Sequence, residues 1–203
     1  MPRIKAATVP EHREAQRRAI LSAARAIILD EGLPALRFGE LADRAKLARP
    51  SIYEYFKTKS DVVVALIEDE VPNWRSAVSD AMSSARSPEE SLAAFVRAIL
   101  QLVKAGRHEL AFALADGELD DAARKAIAKA HEDIFRLVAP ALKELGVADD
   151  GAHAELIGGI ILTAGQALRR DRKRRGLIEL AVSFAVAGAK AHSAPPLRAR
   201  GTR

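Results

Sequence analysis

The sequence predicts an all-α protein of about nine helices, with three compact N-terminal helices followed by a larger helical body. Aromatic residues make up only 4% of the chain, alanine is abundant, and no segment alternates polar with apolar residues. Apolar residues instead recur three and four positions apart, as on one face of a helix. A chain of 203 residues can bury a core without disulfides, which the lack of cysteine excludes.

Three helices are predicted in the first sixty residues. The first runs from about Glu11 to Glu31 and is stopped by Gly32. A shorter helix lies in FGELADRAKL, whose apolar residues are spaced i, i+3, i+4 and i+7. A third runs from Pro50 to about Phe56, because proline is favoured at the first position of a helix. Helices this short bury little unless they pack on the first one.

The fourth and fifth helices carry their own start signals. Ser60 can cap the fourth helix, which Pro72 is expected to kink or restart. Ser87-Pro88-Glu89-Glu90 combines an N-cap serine, proline at N1 and acids in the first turn, so a helix should follow it.

The remaining helices are predicted from stripes and breaks. They are a short helix from about His108 to Ala115, a long one from the acidic break at 116–121 to about Leu145, one from Asp149-Asp150 through LIGGIILTAGQAL, and one from about Arg175 to His192. We predict a first domain over 1–59 with a basic arm at about 1–10, a second domain over 60–192, and a disordered basic tail over 193–203.

Composition excludes several classes of protein. The formal charge is +5 with a pI near 9.7. The N-terminus has no apolar core of a secretory signal, and the longest apolar run is shorter than the roughly 20 residues of a membrane span. No phosphate loop or hydrolase motif occurs, and the five histidines lie far apart. We therefore expect a cytoplasmic protein without metal or cofactor, with an α-helical enzyme as a remote alternative.

The segment RPSIYEYFKTK, residues 49–59, has few core residues for its length. Ile52 and Phe56 lie one turn apart and would hold a helix on its scaffold, which leaves a basic, aromatic face outward. Such a face is typical of the second helix of a helix-turn-helix, which lies in the major groove of DNA. Arginine can donate two bonds to guanine, while hydroxyl and lysine groups can bond phosphates. The alternative is a solvated helix face that happens to be basic.

The segment LADRAKLARPSIYEYFKTKSDVV resembles the DNA-binding signature of the tetracycline-repressor (TetR) family of bacterial regulators. That signature has Ile/Leu-Ala, then Ala-Gly-Val, a Leu-Tyr pair, two aromatic residues, and a lysine followed by Leu. The matching positions are Leu41-Ala42, Ala45-Lys46-Leu47, Ile52-Tyr53, Tyr55-Phe56, Lys59 and Val62. The predicted DNA contacts are Lys46, Arg49, Pro50, Ser51, Tyr53, Glu54, Tyr55, Lys57 and Lys59.

Two positions depart from the signature. Lys46 replaces the usual glycine of the turn, where a left-handed conformation would cost about 1 kcal/mol more than with glycine. Arg37 replaces the serine or threonine that caps the second helix, which leaves only Glu40 of a capping box. Neither change removes a predicted DNA contact.

The last two helices are predicted to form a dimer interface. LIGGIILTAGQAL is apolar nearly all round, so a monomer would not easily hide it, and the resemblance implies a four-helix interface with two helices from each subunit. An ordinary buried core helix is the alternative. The predicted interface residues are Gly158, Gly159, Leu162, Gly165, Leu177, Leu180, Phe184 and Gly188.

In the family that the chain resembles, the middle helices enclose a small-molecule site, and ligand binding changes the spacing of the DNA-reading heads. The candidate ligand contacts are Trp74, Met82, Phe95, Phe112, His131 and Phe135. A place in an ordinary core is the competing interpretation for each. The run RRDRKRR at 169–175 is interpreted as a solvated loop, with a second nucleic-acid contact as the alternative.

The predicted function is that of a dimeric repressor that an unidentified small molecule releases from a palindromic DNA operator. The alternative is a ligand-independent or architectural helix-turn-helix protein, which a fully packed middle region would favour.

Overall fold

The computed structural model describes residues 9–115, 117–147 and 150–191, and these contain ten α-helices, one 3-10 turn and no strand. In chain order the elements are α1 (Val9–Glu31), the 3-10 turn η1 (Leu33–Ala35), α2 (Phe38–Ala45), α3 (Arg49–Tyr55), α4 (Lys59–Met82), α5 (Pro88–Lys104), α6 (Glu109–Ala115), α7 (Asp121–Phe135), α8 (Ala139–Glu144), α9 (Asp150–Arg170) and α10 (Leu177–Ala191). The all-α prediction is confirmed. The predicted basic arm and the basic tail fall almost wholly outside the described residues.

The helices pack as two compact units. The first consists of Met1–Glu70 and Glu109–Lys129, and the second of Val71–His108 and Ala130–Arg203. The first unit is therefore larger than the domain predicted over 1–59, because it also holds the first half of α4, all of α6 and the start of α7. The C-terminal limit of the DNA-binding domain stays a prediction.

The first unit is built around the apolar stripe of α1. Ile20, Ile27 and Ile28 are buried on that stripe, as the spacing predicted. Helix α2 packs on α1 and α3 packs on α2, so the two short helices share a core that neither could form alone. On the other side of α1, the Arg25 guanidinium pairs with the Glu70 carboxylate of α4, Nε to Oε1 2.6 Å.

The cap of α4 differs from the prediction. The Thr58 hydroxyl accepts a hydrogen bond from the Asp61 N–H at 3.1 Å, and the Asp61 carboxylate accepts one from the Thr58 N–H at 2.8 Å. This reciprocal pair is a capping box with aspartate in the acidic position. The prediction that Ser60 caps the helix is wrong, because Ser60 already lies inside its first turn. Helix α4 also continues through Pro72.

Helix α5 is the centre of the second unit. It packs against α8, α9 and α10, and Leu92, Phe95 and Val96 are completely buried on it. Its predicted start is confirmed, since the Ser87 hydroxyl accepts from the Glu90 N–H at 3.1 Å. The Arg97 guanidinium, on α5, donates two hydrogen bonds to the Glu179 carboxylate of α10, at 2.8 and 2.6 Å.

The prediction of one long helix that reaches Leu145 is wrong, because this segment is divided into α7 and α8. Between α7 and α8, the N–H groups of Leu137 and Val138 bond to carbonyls three residues back, at 3.0 and 3.1 Å. Pro140, in the first turn of α8, has no N–H with which to continue the α-helical pattern of hydrogen bonds. The chain therefore makes one tight turn and starts a new helix. None of the described helices is both long and apolar enough to cross a membrane.

Candidate DNA-binding surface

The turn between α2 and α3 is made by Lys46, which adopts the left-handed conformation with φ 56° and ψ 43°. The Leu47 N–H bonds to the Ala42 carbonyl at 3.0 Å, which satisfies one of the last carbonyls of α2. This left-handed residue is the one that the family signature gives as glycine. A lysine pays about 1–2 kcal/mol for that conformation, and its side chain is exposed at the turn.

Helix α3 presents two different faces. Ile52 and Phe56 are buried against the scaffold, as the sequence predicted. Four residues were predicted to face outward: Arg49, Ser51, Tyr53 and Glu54. Arg49, Tyr53 and Glu54 are exposed, whereas Ser51 is half-buried. Pro50 is also exposed. The separation of core and outer face, on which the helix-turn-helix interpretation rests, is therefore present.

Tyr53 is held from two sides although its side chain is 40% exposed. Its ring lies 4.8 Å from the ring of Phe38, centroid to centroid, at a tilt of 58°. Its hydroxyl lies 3.5 Å from Nη2 of Arg49, a long contact that places the two side chains together. These contacts restrict Tyr53 before any ligand arrives, which lowers the entropy cost of binding with it.

Tyr55 faces the scaffold more than the outer surface. Its hydroxyl donates to the Gln16 amide oxygen of α1 at 2.7 Å. The Arg13 guanidinium lies above the Tyr55 ring, 5.5 Å from the centroid. Tyr55 thus fixes the angle of α3 on α1, and its predicted contact with DNA stays a prediction.

The two lysines that follow α3 are placed differently. The Lys57 ammonium donates to the Tyr53 carbonyl at 2.5 Å, and the rest of the side chain is exposed. The Lys59 ammonium donates to the Leu33 carbonyl at 2.6 Å. Burial, with added repulsion from Arg37, lowers the pKa of Lys59. Lys59 therefore joins the start of α4 to η1, and one of its three donors is no longer available to a phosphate.

The short segment before α7 packs tightly on the 3-10 turn η1. A Cβ atom added to Gly117 would lie 2.6 Å from Cδ2 and 2.9 Å from Cβ of the buried Leu33. Three residues later, the Asp120 carboxylate accepts from the Ser60 hydroxyl at 2.6 Å and from the Ala123 N–H at 3.0 Å. We call this group, Leu33, Lys59, Ser60, Gly117 and Asp120, the junction.

The sequence did not reveal the junction. Residues 116–121 were predicted only as an acidic break, and Ser60 as a cap. The signal was a glycine between two acids, but its partner Leu33 lies far away in the chain. The Glu40 carboxylate, the part of a capping box that the sequence retains, accepts from Nε of Arg44 at 2.8 Å. Arg44 pairs in addition with Glu31 of α1, so it fastens α2 to α1.

The candidate ligand residues are divided between the two units. Phe95 and Phe135 meet edge to face, with centroids 5.3 Å apart, in the second unit. Trp74 is buried beside His108, with ring centroids 4.5 Å apart, and its Nε1–H donates to the Arg107 carbonyl at 3.3 Å. Met82 is half-buried, also in the second unit. Phe112 is buried within the first unit.

The helical spacing of His131 predicted that it lies on the apolar face of its helix, one turn from Phe135. The residue is instead solvent exposed. Neighbouring atoms still partly desolvate the imidazole, which lowers the pKa of His131. Its role as a ligand contact stays a prediction. No group of three metal-binding side chains occurs in the part of the chain that the structure describes.

The predicted dimer residues are mostly at the surface. Leu162, Leu180 and Phe184 are 50%, 52% and 65% exposed, and Leu156, which was not predicted, is 68% exposed. A Cβ atom on Gly159 or Gly188 would meet open space. The other three predicted positions are less accessible, because Gly158 and Leu177 are half-buried and Gly165 is buried.

Comparisons with known proteins agree with this geometry. The model of the family described as "Bacterial regulatory proteins, tetR family" matches residues 20–66, which include all of α2 and α3. The HTH-type transcriptional activator FasR of Mycolicibacterium smegmatis is 29% identical over 92 residues, 45% of this chain and 42% of that protein. The match thus spans less than half the length of that relative.

Two solved structures have a similar fold. The fatty acid degradation regulator FadR from Bacillus halodurans superposes with a TM-score of 0.73 at 20% identity, covering 85% of this chain and 95% of that one. The regulator FadR from Bacillus subtilis, in complex with stearoyl-CoA, gives 0.70 at 19% identity, with coverage of 87% and 99%. At such identities the likeness concerns the fold.

The matched segment contains the same residues that carry the sequence signature, from the left-handed turn at Lys46 to the buried pair Ile52 and Phe56. The matched proteins are transcription regulators and not enzymes, in agreement with the prediction. Over residues 20–66 the chain is thus similar to the tetR family of bacterial regulatory proteins.

Proposed function

We propose that this protein is a dimeric, sequence-specific transcription regulator that binds a palindromic operator in the cytoplasm and responds to a small molecule. The observation that carries the proposal is the outer face of α3. Arg49 and Tyr53 are exposed and contact each other there, on a helix whose other face is fully buried. A solvated face needs no such ordering of an aromatic ring beside an arginine.

Arg49 is the residue that we expect to read a base. Its guanidinium can donate two parallel bonds to O6 and N7 of guanine, which discriminates by about 1–3 kcal/mol per base. We expect Lys46 and Lys57, which are exposed before and after α3, to bond phosphates. Pro50 and the Tyr53 ring offer apolar surface to a thymine methyl group.

A dimer is needed because one helix reads only a few base pairs. Two-fold symmetry places two recognition helices about 34–36 Å apart, or a multiple of that, on the two halves of a palindrome. The exposed side chains of Leu156, Leu162, Leu180 and Phe184 on α9 and α10 support an interface there. Full burial of such a side chain from water contributes about 1.5–3 kcal/mol, and covering the half to two thirds that each of these residues exposes would contribute a corresponding part.

The effector is proposed to be small and largely apolar, and to bind within the second unit near the Phe95 and Phe135 rings. The similar regulator FadR from Bacillus subtilis was solved with stearoyl-CoA, which makes acyl-CoA esters the first probes to try. A ligand that prefers the DNA-free state by about 1–3 kcal/mol would weaken DNA binding by about 5–150-fold. We propose repression, although the relative FasR is an activator.

The DNA-binding proposal is tested with Arg49→Ala and Lys57→Ala on a selected operator and on variants of it. Arg49→Ala should relax the preference at one base pair of each half-site, with a loss of about 1–3 kcal/mol there. Lys57→Ala should weaken binding to all sequences alike and reduce the salt dependence. If both variants bind specific and random duplexes as the parent does, the recognition surface lies elsewhere.

The effector proposal is tested through Trp74, the only tryptophan of the chain. Its indole is buried in the same unit as the Phe95 and Phe135 rings and is bonded to the Arg107 carbonyl, so its emission should shift when a ligand rearranges the packing of that unit. Stearoyl-CoA and free stearate are titrated against the protein–operator complex. Emission and DNA release should change over the same concentration range. A wide ligand screen that moved neither would favour the ligand-independent, architectural alternative.

A further inference from the structure

The turn between α9 and α10 is the most basic segment of the chain. Residues 169–175 comprise five arginines, one lysine and one aspartate, so their excess of positive charge equals the +5 of the whole protein. Residues 170–176 are all exposed. We call residues 169–175 the basic turn.

The basic turn has a defined backbone. The Asp171 carboxylate accepts from the Lys173 N–H at 3.0 Å, and the Arg174 N–H bonds to the Asp171 carbonyl at 3.2 Å. Gly176, with φ 75°, then leads directly into α10. The single acid of the segment therefore helps to hold the turn.

Arg172 connects the basic turn to the end of α5. A Cβ atom on Gly106 would lie 3.0 Å from Nη1 and 3.3 Å from Nη2 of Arg172, so the guanidinium covers this glycine. Gly106 is itself flanked by the exposed cations Lys104 and Arg107. Two turns of the second unit thus join into one surface of positive charge.

We propose that this surface binds phosphates of the DNA duplex, in addition to those contacted around α3. Guanidinium groups match phosphate oxygens with two parallel hydrogen bonds, and five of the six cations of the turn are arginines. A protein partner is the weaker fit, because residues 169–175 contain no apolar side chain for the dry centre of a protein interface.

The proposal rests on the DNA binding proposed above, which supplies the phosphates at high local concentration. Phosphate contacts carry no base-sequence information, so the basic turn should contribute equally on operator and random duplexes. Each phosphate neutralised by the basic turn also releases a counterion. The turn should therefore add affinity that depends on salt and not on base sequence.

The test replaces Lys173, Arg174 and Arg175 by glutamine in one variant. These three side chains are exposed and are not the one that covers Gly106. The matched control is the triple variant Arg75→Gln, Arg86→Gln and Lys143→Gln, which removes the same charge from exposed positions on other segments of the second unit. Thermal unfolding followed by circular dichroism verifies that both triple variants remain folded.

Binding to a long duplex of random sequence and to the selected operator is measured by fluorescence anisotropy, from about 50 to about 200 mM salt. For the basic-turn variant, the slope of log K against log salt should be shallower than the control's by about 0.9 for each phosphate that the turn no longer neutralises. The preference for operator over random duplex should be unchanged. Equal slopes in the two triple variants would overturn the proposal.

Two further arms separate the possible failures. If the parent binds no duplex at all, the proposed DNA-binding function fails together with this inference. If Arg49→Ala loses base preference while the basic-turn variant binds like the control, only this inference fails. Vesicles of phosphatidylglycerol form the last arm. If the parent binds them through the charged side chains of the basic turn, while the basic-turn variant keeps the control's DNA affinity, the surface binds a membrane and the assignment to DNA is contradicted.

Discussion

The outer face of α3 and the outer face of α9 and α10 are both exposed, but their chemistry is opposite. On α3 the exposed ring of Tyr53 is accompanied by Arg49 and Glu54, which can satisfy polar partners. On α9 and α10, Leu156 and Phe184 stand 68% and 65% exposed. Apolar exposure of that size is typical of a surface that another protein covers. Exposure alone is therefore uninformative, and the side chains beside it indicate which partner fits.

The largest expected effect comes from a charge on the apolar face. Phe184→Glu places a carboxylate where a dimer would exclude water, so the dimer should dissociate into monomers or aggregate. Tight operator binding should fall by about 10²–10⁴-fold, the avidity gained when two linked sites bind together. Sedimentation and operator titration measure the two effects.

The control for Phe184→Glu is Ala128→Glu, which adds the same charge at an exposed position of α7. It should remain dimeric and bind the operator as the parent does. A parent protein that sediments as a stable monomer and still binds the operator tightly would remove the distinction between the two faces.

The contrast between the faces was largely predictable, because it depends on local patterns. The spacing of Ile52 and Phe56 gives the buried side of α3, and Ser87 with Pro88 gives the start of α5. Each of these signals acts within one or two turns of the chain.

What the sequence missed depends on contacts between distant residues. Thr58, not Ser60, caps α4, and the Ser60 hydroxyl instead donates to the Asp120 carboxylate, sixty positions away. Gly117 looked like a loop glycine, yet it packs on Leu33. The same holds for His131, whose helical spacing suggested burial although no neighbouring element covers it fully. Periodicity shows which residues of a helix share a face, but it does not show what packs against that face.

A smaller effect is expected at the junction, which connects η1, the start of α4 and residues 117–120. Gly117→Ala adds a Cβ atom 2.9 Å from Cβ of Leu33, too close unless the backbone moves. Such overpacking costs typically about 1–3 kcal/mol of unfolding free energy. Gly39→Ala is the matched control, because nothing lies within 4 Å of its added Cβ. Because Gly39 lies in the first turn of α2, it should instead gain less than the about 0.5–1 kcal/mol expected in mid-helix.

Urea denaturation of the two glycine variants gives both unfolding free energies. A loss for Gly117→Ala that Gly39→Ala does not share would establish that Gly117 is tightly packed on Leu33. Equal small changes in both would mean that the junction adjusts easily to the added methyl group.

The smallest effect concerns the cap that starts α4, immediately after the DNA-reading face. The Thr58 N–H, followed by the Lys57 N–H, lowers the pKa of Asp61 from 3.8, against a smaller opposing effect of burial. Because the folded pKa is depressed, this carboxylate stabilises the fold above its unfolded pKa, and the contribution disappears as pH falls through the folded value. Asp61→Asn should therefore lower the melting temperature slightly at neutral pH and progressively less between about pH 5 and pH 2.

Asp43→Asn, at an exposed position of α2, is the control for removing one acid. Melting temperatures from circular dichroism at several pH values measure the difference, and an Asp61→Asn deficit that stayed constant down to low pH would show that the cap acts through shape and not through charge.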